Sequence, residues 1–320
     1  MEHKITHFMY VPFTGLGLYG GFRGNRWLKN RITIFKKFVC TSLLKQTNKN
    51  FKVWVSWRPQ ERGHKYVVEL ESWMREQGLD TIFTYGGLCF WDDKFDDEKT
   101  NHREARERLA TSLQYSLRDL IDVVGGSKYV LMTIQPSDDC YAIWAVDKIQ
   151  EFFRENKSYQ AGGFINGYIM DYNTKKMAEY NPNTNPPFYT IKFPKEDFCD
   201  PLKHMNFTAL KQDVGKYKKG TPIPSHEYPP YALKYAPWDA RGFMVGCHGE
   251  NISTYYNHPF KGEDVTEKDA IFGIDTVPAC PINKGWRRRL FHSLPYRWQR
   301  KIRYVLGEKF YARIYKLILS

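Results

Sequence analysis

The sequence has no apolar run approaching the roughly 18–20 residues that a bilayer-spanning helix requires. Cysteine is thin: six residues, Cys40, Cys89, Cys140, Cys199, Cys247 and Cys280, with no CxxC among them. That spacing excludes a disulfide scaffold and the usual zinc ligand sets. It fits the reduced, buried thiols of a cytosolic protein. Internal repeats and low-complexity stretches are also absent. The opening MEHKITHFMYVPF lacks a basic segment followed by an apolar stretch and a small-residue cleavage site, so no secretory signal is expected. The sequons Asn206-Phe-Thr and Asn251-Ile-Ser then read as accidental.

What remains is a soluble, globular composition: 320 residues, 42% hydrophobic and 26% charged. The length suggests two domains, or one large α/β domain with an appendage. The net charge of +13 is unevenly spread. Pro281 to Ser320 carries eleven Lys or Arg against one acid, Glu308. The preceding residues are close to neutral, which argues against a nucleic-acid face spread over the body. In the tail, Trp298, Ile302, Val305, Leu306, Phe310, Ile314, Leu317 and Ile318 recur at helical steps with basic residues between them. Such a helix suits an anionic membrane surface, though its stripe could equally pack on the body.

Along the body, apolar runs predict strands at 5–13, 51–57, 81–85 and 128–134. Helical spacing predicts helices at 27–45, 64–77 and 102–123, with Gly78 and Gly125-Gly126 as stops. Trp27, Leu28, Arg31, Ile34, Phe35, Phe38, Val39 and Leu43 carry the first helix. Gly15, Gly17 and Gly20 match GxGxxG, but no helix opens directly behind them, so the stretch to Gly24 reads as a loop near a ligand. Four strand–helix alternations predict a mostly parallel sheet covered on both faces. Beyond it, a helix at 146–156, a hairpin of 164–171 with 175–180 and a strand at 242–247 are expected. Residues 181–240, rich in Pro, Tyr and Lys, read as long ordered loops.

The sharpest chemical feature is the strand Tyr129-Val-Leu-Met-Thr-Ile running into Gln-Pro-Ser137-Asp138-Asp139. Ligands of open α/β sheets bind beyond the carboxyl ends of strands. Adjacent acids there suit a hard divalent cation bridging to a diphosphate. A solvated turn capping the next helix is the plain alternative.

Arg26-Trp-Leu-Lys-Asn-Arg-Ile-Thr-Ile-Phe, followed by Ser42-Leu-Leu-Lys-Gln-Thr-Asn-Lys-Asn-Phe-Lys-Val-Trp-Val, resembles the opening of a rhamnosyltransferase family of GT-A glycosyltransferases. Thr133-Ile-Gln-Pro-Ser-Asp-Asp is similar to that family's T-R-L-D-x-D-D. Trp238 with Cys247-His248-Gly249-Glu250-Asn251-Ile-Ser is similar to its late W…HG.N.S. The chain departs at Ile134, where the family has Arg, and at Pro136, where it has its first Asp. The resemblance implies a GT-A-like domain over 1–280, with a nucleotide-sugar half at 1–145 and an acceptor-side half at 146–280, followed by the basic tail at 281–320.

The resemblance further implies a metal-dependent, inverting glycosyltransferase taking a nucleotide-diphosphate sugar, rhamnose among the donors, to a glycan or lipid-linked hydroxyl in surface polysaccharide synthesis. Its place would be the cytoplasm or the inner face of a membrane. Mn²⁺ or Mg²⁺ would sit on Asp138, Asp139 and His248. Arg58, Ser137 and Asp138 would meet the donor. Asp239, Glu227 or Glu250 would supply the general base, and His226 is a second candidate for the histidine metal ligand. Rival readings are an inactive glycan-binding relative, in keeping with Pro136, and a nucleic-acid-binding protein that uses the tail.

Overall fold

The computed structural model describes residues 4–15, 24–86, 102–207, 228–249, 251 and 254–282, with backbone alone at 102–109 and 228. The basic tail beyond 282 and the acidic stretch at 92–100 lie outside the described residues. In chain order the strands are β1 (Ile5–Pro12), β2 (Lys52–Ser56), β3 (Thr81–Thr84), β4 (Tyr129–Ile134), β5 (Cys140–Tyr141) and β6 (Ala161–Phe164). They continue with β7 (Gly167–Asp171), β8 (Met177–Tyr180), β9 (Tyr189–Pro194), β10 (Tyr235–Trp238), β11 (Phe243–Cys247) and β12 (Lys261–Val265). The helices are α1 (Asn25–Ile34), α2 (Thr41–Leu44), α3 (Lys65–Glu76), α4 (His102–Arg118), α5 (Ile121–Val124), α6 (Ala145–Glu155), α7 (Lys195–Cys199), α8 (Pro201–Phe207) and α9 (Tyr228–Ala232). A π-helical turn, Phe35–Cys40, joins α1 to α2 into one continuous helix.

Seven strands form the main sheet in the order β10-β6-β9-β4-β1-β2-β3. All run parallel except β9, which is antiparallel to both β4 and β6. The mainly apolar runs of β1, β2 and β4 follow from burial on both faces. Met9, Val11, Val53, Val55 and Leu131 pack on one side with Leu28 of α1, Leu70 of α3 and Ile149 of α6. Phe8, Tyr10, Trp54, Val130 and Met132 pack on the other with Leu117 of α4, Phe198 of α7 and Met205 of α8. This is the expected α/β class, with a parallel-rich sheet between two helical layers. A second sheet, β12-β8-β7-β11-β5, carries its own core around Phe38, Tyr172, Met244 and Phe272.

The chain passes from the first sheet to the second three times: at 135–139 after β4, at 165–166 after β6 and at 239–242 after β10. Each crossing leaves the carboxyl end of a parallel strand. Strands from both sides of position 145 therefore share the main sheet.

Three expectations are corrected. Residues 181–240 hold β9, β10 and short helices rather than loops alone. β9 escapes notice because prolines flank it and Lys192 interrupts it. Lys192 is buried, stacks over the rings of Tyr129 and Phe153 and donates from Nζ to the Lys157 carbonyl at 2.6 Å. The hairpin is β7 with β8 alone, because Phe164 ends a separate strand, β6. In β6, a Cβ on Gly162 would lie 2.5 Å from the Trp238 ring, and one on Gly163 2.5 Å from the Tyr235 hydroxyl. They are strand glycines admitting a close neighbour. The long helix is broken at 119–120 into α4 and α5.

Two buried histidines tie the main sheet to acid stability. His7 accepts at Nδ1 from Gln150 Nε2 at 3.1 Å, so its Nε2 donates to Thr133 Oγ1 at 2.7 Å. Burial lowers its pKa to about 3, and that of His204 to about 4. Both native rings stay neutral while the unfolded rings protonate near pH 6.5. Stability is therefore full above that pH and falls as pH drops toward 3 to 4. Unfolding free energies from urea titrations at pH 7 and pH 5 should differ by on the order of 1–2 kcal/mol per histidine. Equal free energies would contradict this.

Candidate functional site

The crossing after β4 builds the site. Gln135 holds the turn from inside, donating from Nε2 to the carbonyls of Pro136 at 2.9 Å and Asp139 at 2.8 Å. Tyr172, at the end of β7, stacks on Phe38 of the π-helical turn with ring centroids 3.6 Å apart, and donates from its hydroxyl to the Asp138 carbonyl at 2.8 Å. π-Turns of this kind recur at functional sites. On β11, the Gly246 N–H donates to Asp139 Oδ1 at 2.9 Å. A Cβ on Gly246 would lie 2.2 Å from the Asp138 carbonyl oxygen, so only glycine lets β11 come this close.

Asp138 Oδ2 is the focus. It is ion-paired with Arg31 of α1, accepts from Asn251 Nδ2 at 3.2 Å, and lies 3.0 Å from His248 Nε2. Asn251 also fixes the loop, donating to the Gly246 carbonyl at 2.6 Å and accepting from the His248 N–H at 2.8 Å. Arg31 and His248 are buried, as is Asp139. Burial opposes the charge on Asp138, but the Arg31 guanidinium and the His248 ring outweigh it and hold the carboxyl at about 2. Asp139 is pushed well above the usual range by burial, with the Asp138 charge adding to it. Burial and the neighbouring charge thus push the two carboxyls apart, Asp138 down and Asp139 up.

Of the residues expected at the site, Asp138, Asp139 and His248 come together here. Ser137 sits half-buried beside them in the same turn. Arg58 stands at the end of β2, two strands away on the same carboxyl edge. Its N–H donates to the buried carboxylate of Glu61 at 2.8 Å, and Thr14 donates to that carboxylate at 2.9 Å. Asp239 begins the crossing after β10, where Asn166, in the crossing after β6, donates to its Oδ1 at 2.7 Å. That places Asp239 three strand spacings, or roughly 14 Å, along the edge from β4. Glu227, Glu250 and His226 lie outside the described residues. Trp57 and Trp238 are core residues, packed on Phe13 and on Phe152, Phe153 and Phe164.

Sequence reasoning did not single out Arg31, Asn251 or Tyr172 as site residues. Arg31 had a readable signal: it is the one charged residue placed on the apolar stripe of the first helix. Asn251 lies in the HG.N.S segment.

Asp138 Oδ2 and His248 Nε2, 3.0 Å apart, are at hydrogen-bond distance, and the same oxygen is ion-paired with Arg31. Asp139 directs Oδ1 to β11. Among the described residues no group of three or more His, Cys, Asp or Glu is arranged as a metal centre. Nor does any helix among them have the length and apolarity to cross a membrane.

No family model matches the chain, and no curated protein matches it. Among solved structures it is similar to S. aureus TarS 1-349, at 11% identity and a TM-score of 0.37, covering 75% of this chain and 60% of that one. It is also similar to a 4-diphosphocytidyl-2C-methyl-D-erythritol synthase, at 7% identity and a TM-score of 0.31, covering 85% of this chain and 100% of that one. A third is the Francisella tularensis 2-C-methyl-D-erythritol 4-phosphate cytidylyltransferase, at 12% identity and a TM-score of 0.28, covering 83% and 96%. The chain thus spans less than two thirds of the TarS structure.

Proposed function

We propose that the protein is a glycosyltransferase that uses a nucleotide-diphosphate sugar, with a deoxyhexose such as rhamnose as the leading donor sugar and a glycan hydroxyl as acceptor. The observation that supports this is the convergence of Arg31, Asp138, His248 and Asn251. The three segments that carry the GT-A resemblance meet at one carboxylate, at the carboxyl edge of a parallel sheet.

The reaction asks for two things on that edge. The bond from the anomeric carbon to phosphate breaks, and the diphosphate leaves with the electron pair. Asp138 and His248 would hold Mn²⁺ or Mg²⁺ there; such an ion, when bound, neutralises the charge that grows on the leaving group. The acceptor oxygen forms the new bond to the anomeric carbon and loses its proton to a base. Asp239 is the proposed base, on the acceptor side of the seam, with Asn166 fixing its Oδ1. Attack from the face opposite the diphosphate would invert the anomeric centre.

A thermal-shift panel of nucleoside diphosphates and nucleotide sugars, with and without Mn²⁺, tests this reading. One nucleotide together with Mn²⁺ should raise the melting temperature by a few degrees. Asp239→Asn should keep that shift while losing sugar transfer. No shift with any nucleotide would refute the transferase reading and favour a glycan-binding protein.

A further inference from the structure

Charge is segregated within the body as well as in the tail. Between Glu2 and Glu61 there is no Asp or Glu, and there are eleven Lys or Arg. Residues 61–280 reverse the balance, with 26 Lys or Arg against 33 Asp or Glu. The fold gathers much of the basic excess on one surface. The continuous helix made of α1, the π-helical turn and α2 buries Leu28, Ile32, Phe35, Val39 and Leu43 in the core. Its outer stripe carries Arg26, Lys29, Lys36, Lys37 and Lys45, each half-buried or exposed. Among the described residues, Lys29, Lys37 and Lys45 form no ion pair. Lys36 lies over the Trp73 ring, 4.7 Å from its centroid. Burial, and then the charge of Lys45, lower the pKa of Lys49 just beyond the helix. On the flanking helices, Glu71 of α3 is paired with Arg75, and Asp147 of α6 accepts from Thr47.

A second observation is where the described chain ends. Ile282 packs on the apolar cluster that holds Ile34 and Phe38 of this same helix. The residues that follow carry eleven Lys or Arg against Glu308. The tail therefore leaves the described body beside the basic helix.

The chemistry of the stripe selects its partner. Lysines are point charges on flexible stems, suited to diffuse negative charge. The bidentate forks that read individual bases are not what this stripe is made of. It follows one helix, Asn25–Leu44, for about 30 Å, as contact with a plane requires. We propose that this outer face is a docking surface for an anionic membrane leaflet, acting together with the basic residues beyond Ile282. The net negative remainder of the body is repelled by the same leaflet, which sets the orientation. Because the helix also supplies Arg31 to Asp138, docking holds the site cluster about one helix diameter, roughly 10 Å, from the lipid surface.

The test mixes the full chain with vesicles of phosphatidylcholine, alone or with about one third phosphatidylglycerol, in about 0.1 M salt. Sedimentation should show binding to the anionic vesicles only, and release as salt rises toward about 1 M. Lys29→Gln, Lys37→Gln and Lys45→Gln together should weaken binding by about tenfold or more, since each lysine at the surface contributes. The same change at Lys157, Lys203 and Lys234, which are exposed on other elements, should weaken it by less than about threefold. Acetic anhydride labelling of wild type gives the answer without variants. Anionic vesicles should protect Lys29, Lys37 and Lys45 and leave Lys157, Lys203 and Lys234 reactive.

Equal protection of the two sets, or no binding to anionic vesicles, overturns the proposal. Unchanged binding by the helix variant also overturns it and leaves the tail as the attachment. Tighter binding to a short DNA duplex through the same three lysines overturns the membrane in favour of a nucleic acid.

Discussion

Asp138→Asn is expected to lower the unfolding free energy by about 3 kcal/mol or more, and to abolish sugar transfer, whereas Asp139→Asn should change stability by less than about 1 kcal/mol. The two neighbours differ because their surroundings do. Asp138 is the counter-charge of Arg31, whose side chain is 7% exposed. Removing one member of a buried pair leaves the other charge uncompensated, which is the costly half of such an interaction. Asparagine could still accept a bond at Oδ1, but it brings no charge to the guanidinium. Asp139 is already driven toward its neutral form by burial and by Asp138. An asparagine there is close to isosteric with that neutral acid, and its Oδ1 still accepts from the Gly246 N–H. Chemical denaturation of the two variants beside wild type at pH 7 checks the asymmetry. Equal losses would mean that the charge is shared differently across the pair.

The second large effect is expected at Gly246. A methyl group there meets the Asp138 carbonyl oxygen at 2.2 Å and the Tyr172 ring at 2.4 Å. Neither is the free end of a flexible chain: one is backbone, and the other is stacked on Phe38. Relief requires β11 to move away, which breaks the bond from Gly246 to Asp139 and draws His248 from Asp138. Gly246→Ala should therefore cost about 3 kcal/mol, at the high end for overpacking, with loss of Mn²⁺-dependent nucleotide binding in whatever protein folds. Gly126→Ala is the control, since nothing lies within 4 Å of its added carbon. It should stay within about 0.5 kcal/mol of wild type. A Gly246→Ala protein that melts with wild type would show that the seam is looser than its distances imply.

Much of the main sheet is legible in the sequence because β1, β2 and β4 are apolar on both faces, and helices punctuated by Gly78 and Gly125 separate them. β6 and β9 are not. Two glycines hide the first, and Lys192 with flanking prolines hides the second; both are explained only by neighbours distant in the chain, Trp238 for the glycines and the Lys157 carbonyl for the lysine. The acid pair was readable as a strand-end feature. Its partners were half-readable: Arg31 stands out as a charge on an apolar stripe, but no local rule says that it meets position 138. That meeting depends on α1 lying over the sheet and on β11 aligning beside β5, which are tertiary facts.

The order of the three crossings has a consequence for biosynthesis. Arg31 leaves the ribosome before Asp138, so the acid can find its guanidinium as soon as β4 has joined β1. His248 follows Asp138 by 110 positions. At translation speeds of roughly 5–20 residues per second, that is a wait of about 5–20 s. Through that interval the nascent chain holds a half-built knot whose charges are already matched, and β11, arriving late, is the segment that completes it. A chain halted before β11 is then able to carry a neutralised Asp138 yet lacks His248, so the cluster is completed only once β11 has been made.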